Sequence, residues 1–156
     1  MEVEKVFRNT RIYDLNGDYE AILCRTGWKI NNPKKEFPQT KRGESKDYEQ
    51  NRAKTLQKAR SKIRRLIKFY KLDRFVTLTF AENEDDLKAA DREFRKFMKR
   101  LLRKYPDFKY VGVREFQQRG AIHYHLAVNT FIPHAEISEI WGKGFVWVER
   151  KTGRID

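Results

Sequence analysis

With a single cysteine, Cys24, the chain has no internal disulfide, so it folds without a covalent staple and fits a reducing compartment. No apolar run approaches the roughly 18 residues that a membrane span needs. The acidic start MEVEKVFRNT also lacks the basic-then-apolar order of a signal peptide. A soluble cytoplasmic protein is therefore expected, and 156 residues suffice for one domain with its own core. Acidic side chains are scarce where basic ones gather: Arg25 to Lys71 holds 16 basic and 4 acidic residues, nearly all of the net charge of +13. A local positive field of this kind recruits polyanions by releasing their counterions. Nucleic acid is thus the first partner to consider, ahead of an anionic membrane surface; a merely solvated basic helix is the plain alternative.

Several elements can be read from pattern. RIYDLNGDYEAILC carries Asn16-Gly17 between two short apolar-polar segments, which predicts an N-terminal β-hairpin. Asn31 to Asp47 has two prolines, a glycine and many charges without periodicity, and is expected to be a mobile loop. From Tyr48 to Tyr70, Leu56, Ala59, Ile63, Leu66, Ile67 and Tyr70 recur at helical spacing, giving an amphipathic helix with a basic outer face. RFVTLTF alternates as a strand. Leu87 to Tyr105 repeats apolar residues at helical spacing until Pro106. KYVGVREF and AIHYHLAVN read as strands paired around QQRG, PHAEISEIWG as a short helix and FVWVE as a last strand. The order from Phe75 is strand, helix, strand, strand, helix, strand. That order predicts an α+β fold: a ferredoxin-like, RNA-recognition-type antiparallel sheet (βαββαβ) with both helices on one face. The expected organisation is one domain over 1–156: hairpin and basic loop to 47, basic helix at 48–72, and the core at 73–156.

The stretch GAIHYHLAV concentrates the chemistry. Alternation sends His123 and His125 to one face of the strand and Ile122, Tyr124, Leu126 and Val128 to the other, beneath the helices. Two imidazoles can share a divalent ion but need a third ligand. If the hairpin closes symmetrically about Arg119, Glu115 sits opposite His123 on the same face. A one-residue slip would instead present Arg114 and Phe116, and unliganded surface histidines are the ordinary reading of such a pair. The symmetric register also sends Val111 and Val113 to the open face, which calls for a bulge near Arg114 or for cover by the N-terminal region. Trp141 continues the stripe of Ile137 and Ile140 and belongs to the core. Phe145 and Trp147 share one strand face and are open to base stacking. Arg52, Lys58, Arg60, Lys62, Arg64, Arg65 and Lys68 are candidates for phosphate contact. His134, at a helix start, reads as an exposed cap-region residue.

RFVTLTF, a helix, and then REFQQRGAIHYHLAV together resemble the first two motifs of the HUH endonucleases, specifically the rolling-circle replication initiator (Rep) proteins of bacterial phages and plasmids. The likeness spans about Phe75 to Glu149. It implies Glu115, His123 and His125 as ligands of Mn²⁺ or Mg²⁺, and Thr77 and Thr79 in a first motif near DNA. It further implies single-stranded or hairpin origin DNA as substrate, a host helicase as a further candidate partner, and no membrane partner. In such enzymes a tyrosine attacks a phosphodiester, leaving a 5′-phosphotyrosine and a free 3′-OH that primes replication. That tyrosine follows the histidine motif on a later helix, in a Tyr-x-x-Lys setting, whereas no tyrosine follows Tyr124 here. The expectation is a fragment ending before its third motif, able to bind DNA and metal but not to nick. A non-catalytic nucleic-acid-binding module on the same fold is the alternative, since fold alone does not separate the two. An RNA-recognition module would carry aromatics where this strand carries histidines.

Overall fold

The computed structural model describes residues 3–6, 9–25 and 45–150. The expected loop Asn31–Asp47 lies outside them apart from its last three residues, as does the terminal KTGRID. No helix among the described residues is long and apolar enough to cross a membrane. The chain divides into two compact units, Met1–Phe69 and Tyr70–Asp156.

In the first unit, β1 (Val3–Val6), β2 (Thr10–Asp14) and β3 (Tyr19–Leu23) form an antiparallel sheet in the order β1-β2-β3. The hairpin expected at Asn16-Gly17 is present. Leu15 N–H donates to Asp18 O at 2.8 Å, and Asn16 and Gly17 have φ of 63° and 105°. Two consecutive positive φ values make a primed turn, whose twist matches that of the strands it joins. β1 is an addition: VEKV has two charges in four residues, so no alternation announced it. Helix α1 (Tyr48–Phe69) follows. Glu20 of β3 receives Arg64 at 2.9 Å and Arg65 at 3.4 Å, and the Arg65 guanidinium lies 4.0 Å from the centre of the Tyr13 ring. Every residue from Glu49 to Arg60 is exposed, including Leu56 and Ala59, which periodicity had assigned to a buried stripe. One leucine and two alanines in three turns offer too little apolar area to seat that half; cover begins near Ile63, and Ile67 is buried.

The second unit holds β4 (Arg74–Thr79), α2 (Leu87–Lys104), β5 (Tyr110–Phe116), β6 (Ile122–Val128), α3 (His134–Trp141) and β7 (Val146–Arg150). Its strands run β5-β6-β4-β7, each antiparallel to its neighbours, the order of a ferredoxin-like α+β sheet. Val76, Leu78, Ile122, Tyr124, Leu126, Val128 and Val146 point to the helix side and are buried with Phe97 and Leu101 of α2 and Ile137 and Trp141 of α3. Burying a side chain such as Phe97 contributes about 1.5–3 kcal/mol. Asp86 caps α2, accepting from Lys88 N–H at 2.8 Å, and Gly142 ends α3 in the left-handed conformation. His134 is exposed, as expected of a cap-region residue, and its Nε2 lies 3.0 Å from Val146 O. Leu87 and Leu102, counted in the α2 stripe from their spacing, are 39% and 40% exposed because they fall at its edges.

Candidate metal centre and nucleic-acid face

The position of every group on the open face follows from the β5-β6 turn. Gln117 N–H bonds to Ala121 O at 2.9 Å, Gly120 N–H bonds to Gln117 O at 2.8 Å, and Gly120 has a φ of 86°. This is a three-residue connection whose last member must adopt a left-handed conformation, a demand glycine meets without strain. The pairing is accordingly symmetric about Arg119: Glu115 faces His123, and Val113 faces His125. The ladder runs without a bulge from Tyr110 to Phe116. Val111 and Val113 do lie on the face away from α2 and α3, where Val113 is 48% exposed.

The helix-side members of β5 have their own partners. Gly112 sits over Leu126, where an added Cβ would come within 2.7 Å of a Leu126 methyl carbon. Arg114 reaches Asp91 of α2 at 2.8 Å, and the Tyr124 hydroxyl donates to the same carboxylate at 2.8 Å. Phe94 stacks on the Tyr124 ring at 4.3 Å. Burial, and then Asp91, push the Tyr124 phenol well above its ordinary value. A neutral, buried phenol on the covered side is a core residue, as alternation indicated. Tyr110 packs near Phe94 and Phe108 on that side, and Tyr105 donates to Glu136 at 2.6 Å.

Two rows cross the open face. One runs Val113, His125, Thr77, Trp147, and the next runs Glu115, His123, Thr79, with Phe145 bonded to Thr79 at its end. Within them, His125 Nε2 lies 2.6 Å from Glu115 Oε2, and His125 Nδ1 lies 3.1 Å from the Thr77 hydroxyl. His123 turns elsewhere: its Nδ1 is 3.4 Å from Gln117 Nε2, and the two imidazole centres are 6.4 Å apart. Burial first, then the neighbouring His125, lower the His123 pKa, so the ring is neutral near pH 7 and retains a lone pair for a ligand. Among the described residues no three His, Cys, Asp or Glu side chains form a ready-made metal cluster. What separates Glu115, His123 and His125 from one is the rotation of His123 away from Gln117. The donors, one carboxylate and two imidazoles without a thiolate, suit Mn²⁺ or Mg²⁺ better than structural zinc.

The remaining candidates divide. Thr79 donates its hydroxyl to Phe145 O at 3.1 Å and so ties β7 to β4. Phe145 and Trp147 are 73% and 70% exposed, and Trp141 is fully buried with its indole N–H on Thr79 O at 2.9 Å. Arg64 and Arg65 serve Glu20 and Tyr13 within the first unit, whereas Arg52, Lys58, Arg60 and Lys62 lie exposed on α1 and Lys68 is half-buried. Gln117 beside His123 was missed from sequence, although parity with Glu115 announced its face. Arg119, at the turn, is close enough to help lower the His123 pKa and was missed as well.

The pattern of the replication-associated protein ORF2 family matches residues 73–155, over half of the chain. The chain belongs to this replication-associated family. The matched region begins at β4 and contains both rows of the open face. No curated protein and no solved structure matches the chain.

For a replication-associated protein the exposed cations of α1 have a direct test. Replacing Arg52, Lys58, Arg60 and Lys62 together by glutamine should flatten the dependence of log affinity for single-stranded DNA on log salt, by up to about 0.7 for each phosphate no longer neutralised. Fluorescence anisotropy across a salt series reads this, and an unchanged slope removes α1 from the interface.

Proposed function

We propose that this protein is a replication initiator of a phage or plasmid that binds single-stranded or hairpin origin DNA. It serves metal-assisted nicking of one strand by transfer to a tyrosine, leaving a 5′-phosphotyrosine and a free 3′-OH. The observation that carries this is the register setting Glu115 opposite His123, with His125 bonded to Glu115, on the exposed face of a replication-associated fold. Glu115, His123 and His125 would hold the ion. A divalent cation there polarises the scissile phosphate and stabilises charge on its oxygens. Arg119, at the tip of the hairpin, contacts a flanking phosphate, and Trp147 and Phe145 stack unpaired bases beside the ligand rows. Tyr105, Tyr110 and Tyr124 do not act as nucleophile, because all three are engaged on the helix side. The protein works in the cytoplasm, beside a host helicase that opens the duplex at the nick.

A second reading, a nucleic-acid-binding module without catalysis, draws on the hydrogen bond between His125 and Glu115, which satisfies both groups without a cation.

The test is binding of a labelled single-stranded oligonucleotide in Mn²⁺, followed by denaturing electrophoresis. The wild-type chain should bind without a covalent protein–DNA adduct, and Trp147→Ala should weaken binding by about 1–3 kcal/mol, the worth of one stacked base. Affinity unchanged in Trp147→Ala would remove the stacking platform, and a tyrosine adduct would show that a nucleophile is already present.

A further inference from the structure

Thr77 faces His125 directly across the β4-β6 pair, and its hydroxyl lies 3.1 Å from Nδ1 while Nε2 meets the Glu115 carboxylate at 2.6 Å. A carboxylate only accepts, so in the neutral ring Nε2 carries the proton, Nδ1 is bare and the Thr77 hydroxyl must donate to it. A ring that ligates a cation through Nε2 needs the reverse: Nε2 bare, Nδ1 protonated, and an acceptor facing Nδ1. A hydroxyl serves both states by turning about its own C–O bond. A carboxylate at this place would serve only the second, and an ammonium only the first.

We propose that Thr77 is a positioning residue that holds the His125 ring in one orientation through both tautomers. Nε2 can then exchange its hydrogen bond to Glu115 for a cation while the ring stays anchored. The second half of this role rests on the metal reading above; the first does not. The two imidazoles are unequal in this respect. Thr79, the residue opposite His123, spends its hydroxyl on Phe145 O at 3.1 Å. His125 is therefore the fixed ligand, and His123, with only Gln117 at 3.4 Å beside its Nδ1, is the one that swings in. A partner at the second nitrogen is how proteins commonly fix a ligating imidazole, and its loss weakens metal binding by about 10–100-fold.

The test compares the wild type with Thr77→Val, which keeps the β-branched shape on the strand, and with Thr77→Ser, which restores the hydroxyl. Long-range ¹H–¹⁵N spectra of the metal-free proteins should show one His125 tautomer, protonated at Nε2, in the wild type and Thr77→Ser, and a mixture in Thr77→Val. Adding Zn²⁺ as a diamagnetic probe should move the wild-type ring to the Nδ1-protonated form. Mn²⁺ affinity, read by electron paramagnetic resonance of the free ion, should fall about 10-fold or more in Thr77→Val and recover in Thr77→Ser. A metal-free Thr77→Val spectrum identical to wild type would overturn the proposal. Failure of every variant to take up metal would overturn the metal reading, with the metal-free comparison still deciding the role of Thr77.

Discussion

Replacing His123 by alanine is expected to abolish the rise in melting temperature that Mn²⁺ gives the intact chain. A ligand that binds the folded state alone stabilises it by about 2.7 kcal/mol at a concentration 100 times Kd. For a chain of this size that corresponds to roughly 5–10 °C. The substitution removes one of three donors and leaves the core intact, because His123 lies on the face away from α2 and α3, paired with Glu115 on one side and Thr79 on the other. The melting temperature without metal should change little, and chelation by EDTA should bring the wild type back to that baseline. Equal Mn²⁺ shifts in the two proteins would place any bound ion elsewhere. Loss of the shift in His123→Ala, but not in an Arg119→Ala control, would localise it to the imidazole.

Gly144→Ala should be among the most damaging single changes in the second unit. Gly144 has a φ of 157°, and an added Cβ would lie 2.4 Å from both Ala81 N and Thr79 O and 2.6 Å from Phe80 C. These are backbone atoms and cannot swing aside. The close approach exists because Ala81 N–H bonds to Lys143 O and Thr79 N–H to Phe145 O, each at 2.9 Å, which lays the chain entering β7 along the end of β4. Forcing the two apart would release both bonds and shift Trp147 out of line with Thr77. The expected loss is about 3–5 kcal/mol, a fall in melting temperature on the order of 10 °C by calorimetry. Gly17→Ala is the comparison: φ there is 105°, but nothing lies within 4 Å of the added carbon, so only about 1–2 kcal/mol of backbone strain is at stake. Similar losses at the two positions would mean that the close approach at Gly144 relaxes freely.

What could be read from the chain follows the range of the interactions. Period-two alternation in Ile122–Val128 is a local property, so the covered and open sides of β6 were legible from the sequence alone. The register of β5 on β6 was legible to the extent that turn chemistry is: QQRG ends in a glycine able to take a positive φ, and that fixes the pairing. The neighbour of His125 on its other side was not legible. Thr77 precedes it by 48 residues, and the alignment of β4 with β6 is settled by packing under α2 and α3 rather than by a turn. Sequence therefore put Thr77 near DNA, where the fold sets its hydroxyl on an imidazole. Basic periodicity treated Arg64 and Arg65 like Arg60 and Lys62, because nothing local announces that Glu20 and Tyr13 claim them. β1 was missed for a related reason: a short charged strand owes its existence to the edge of β2.

The turn at Gln118–Gly120 bears on how such a protein could diversify. Side chains at its tip are free to vary with the nucleic acid they meet, since the backbone asks only for a residue that tolerates a positive φ at the third place. The number of residues there is not free. One insertion or deletion would turn over the parity of everything on β5 beyond it, hiding the carboxylate and exposing an arginine, so the ribbon tolerates changes in spelling but not in count.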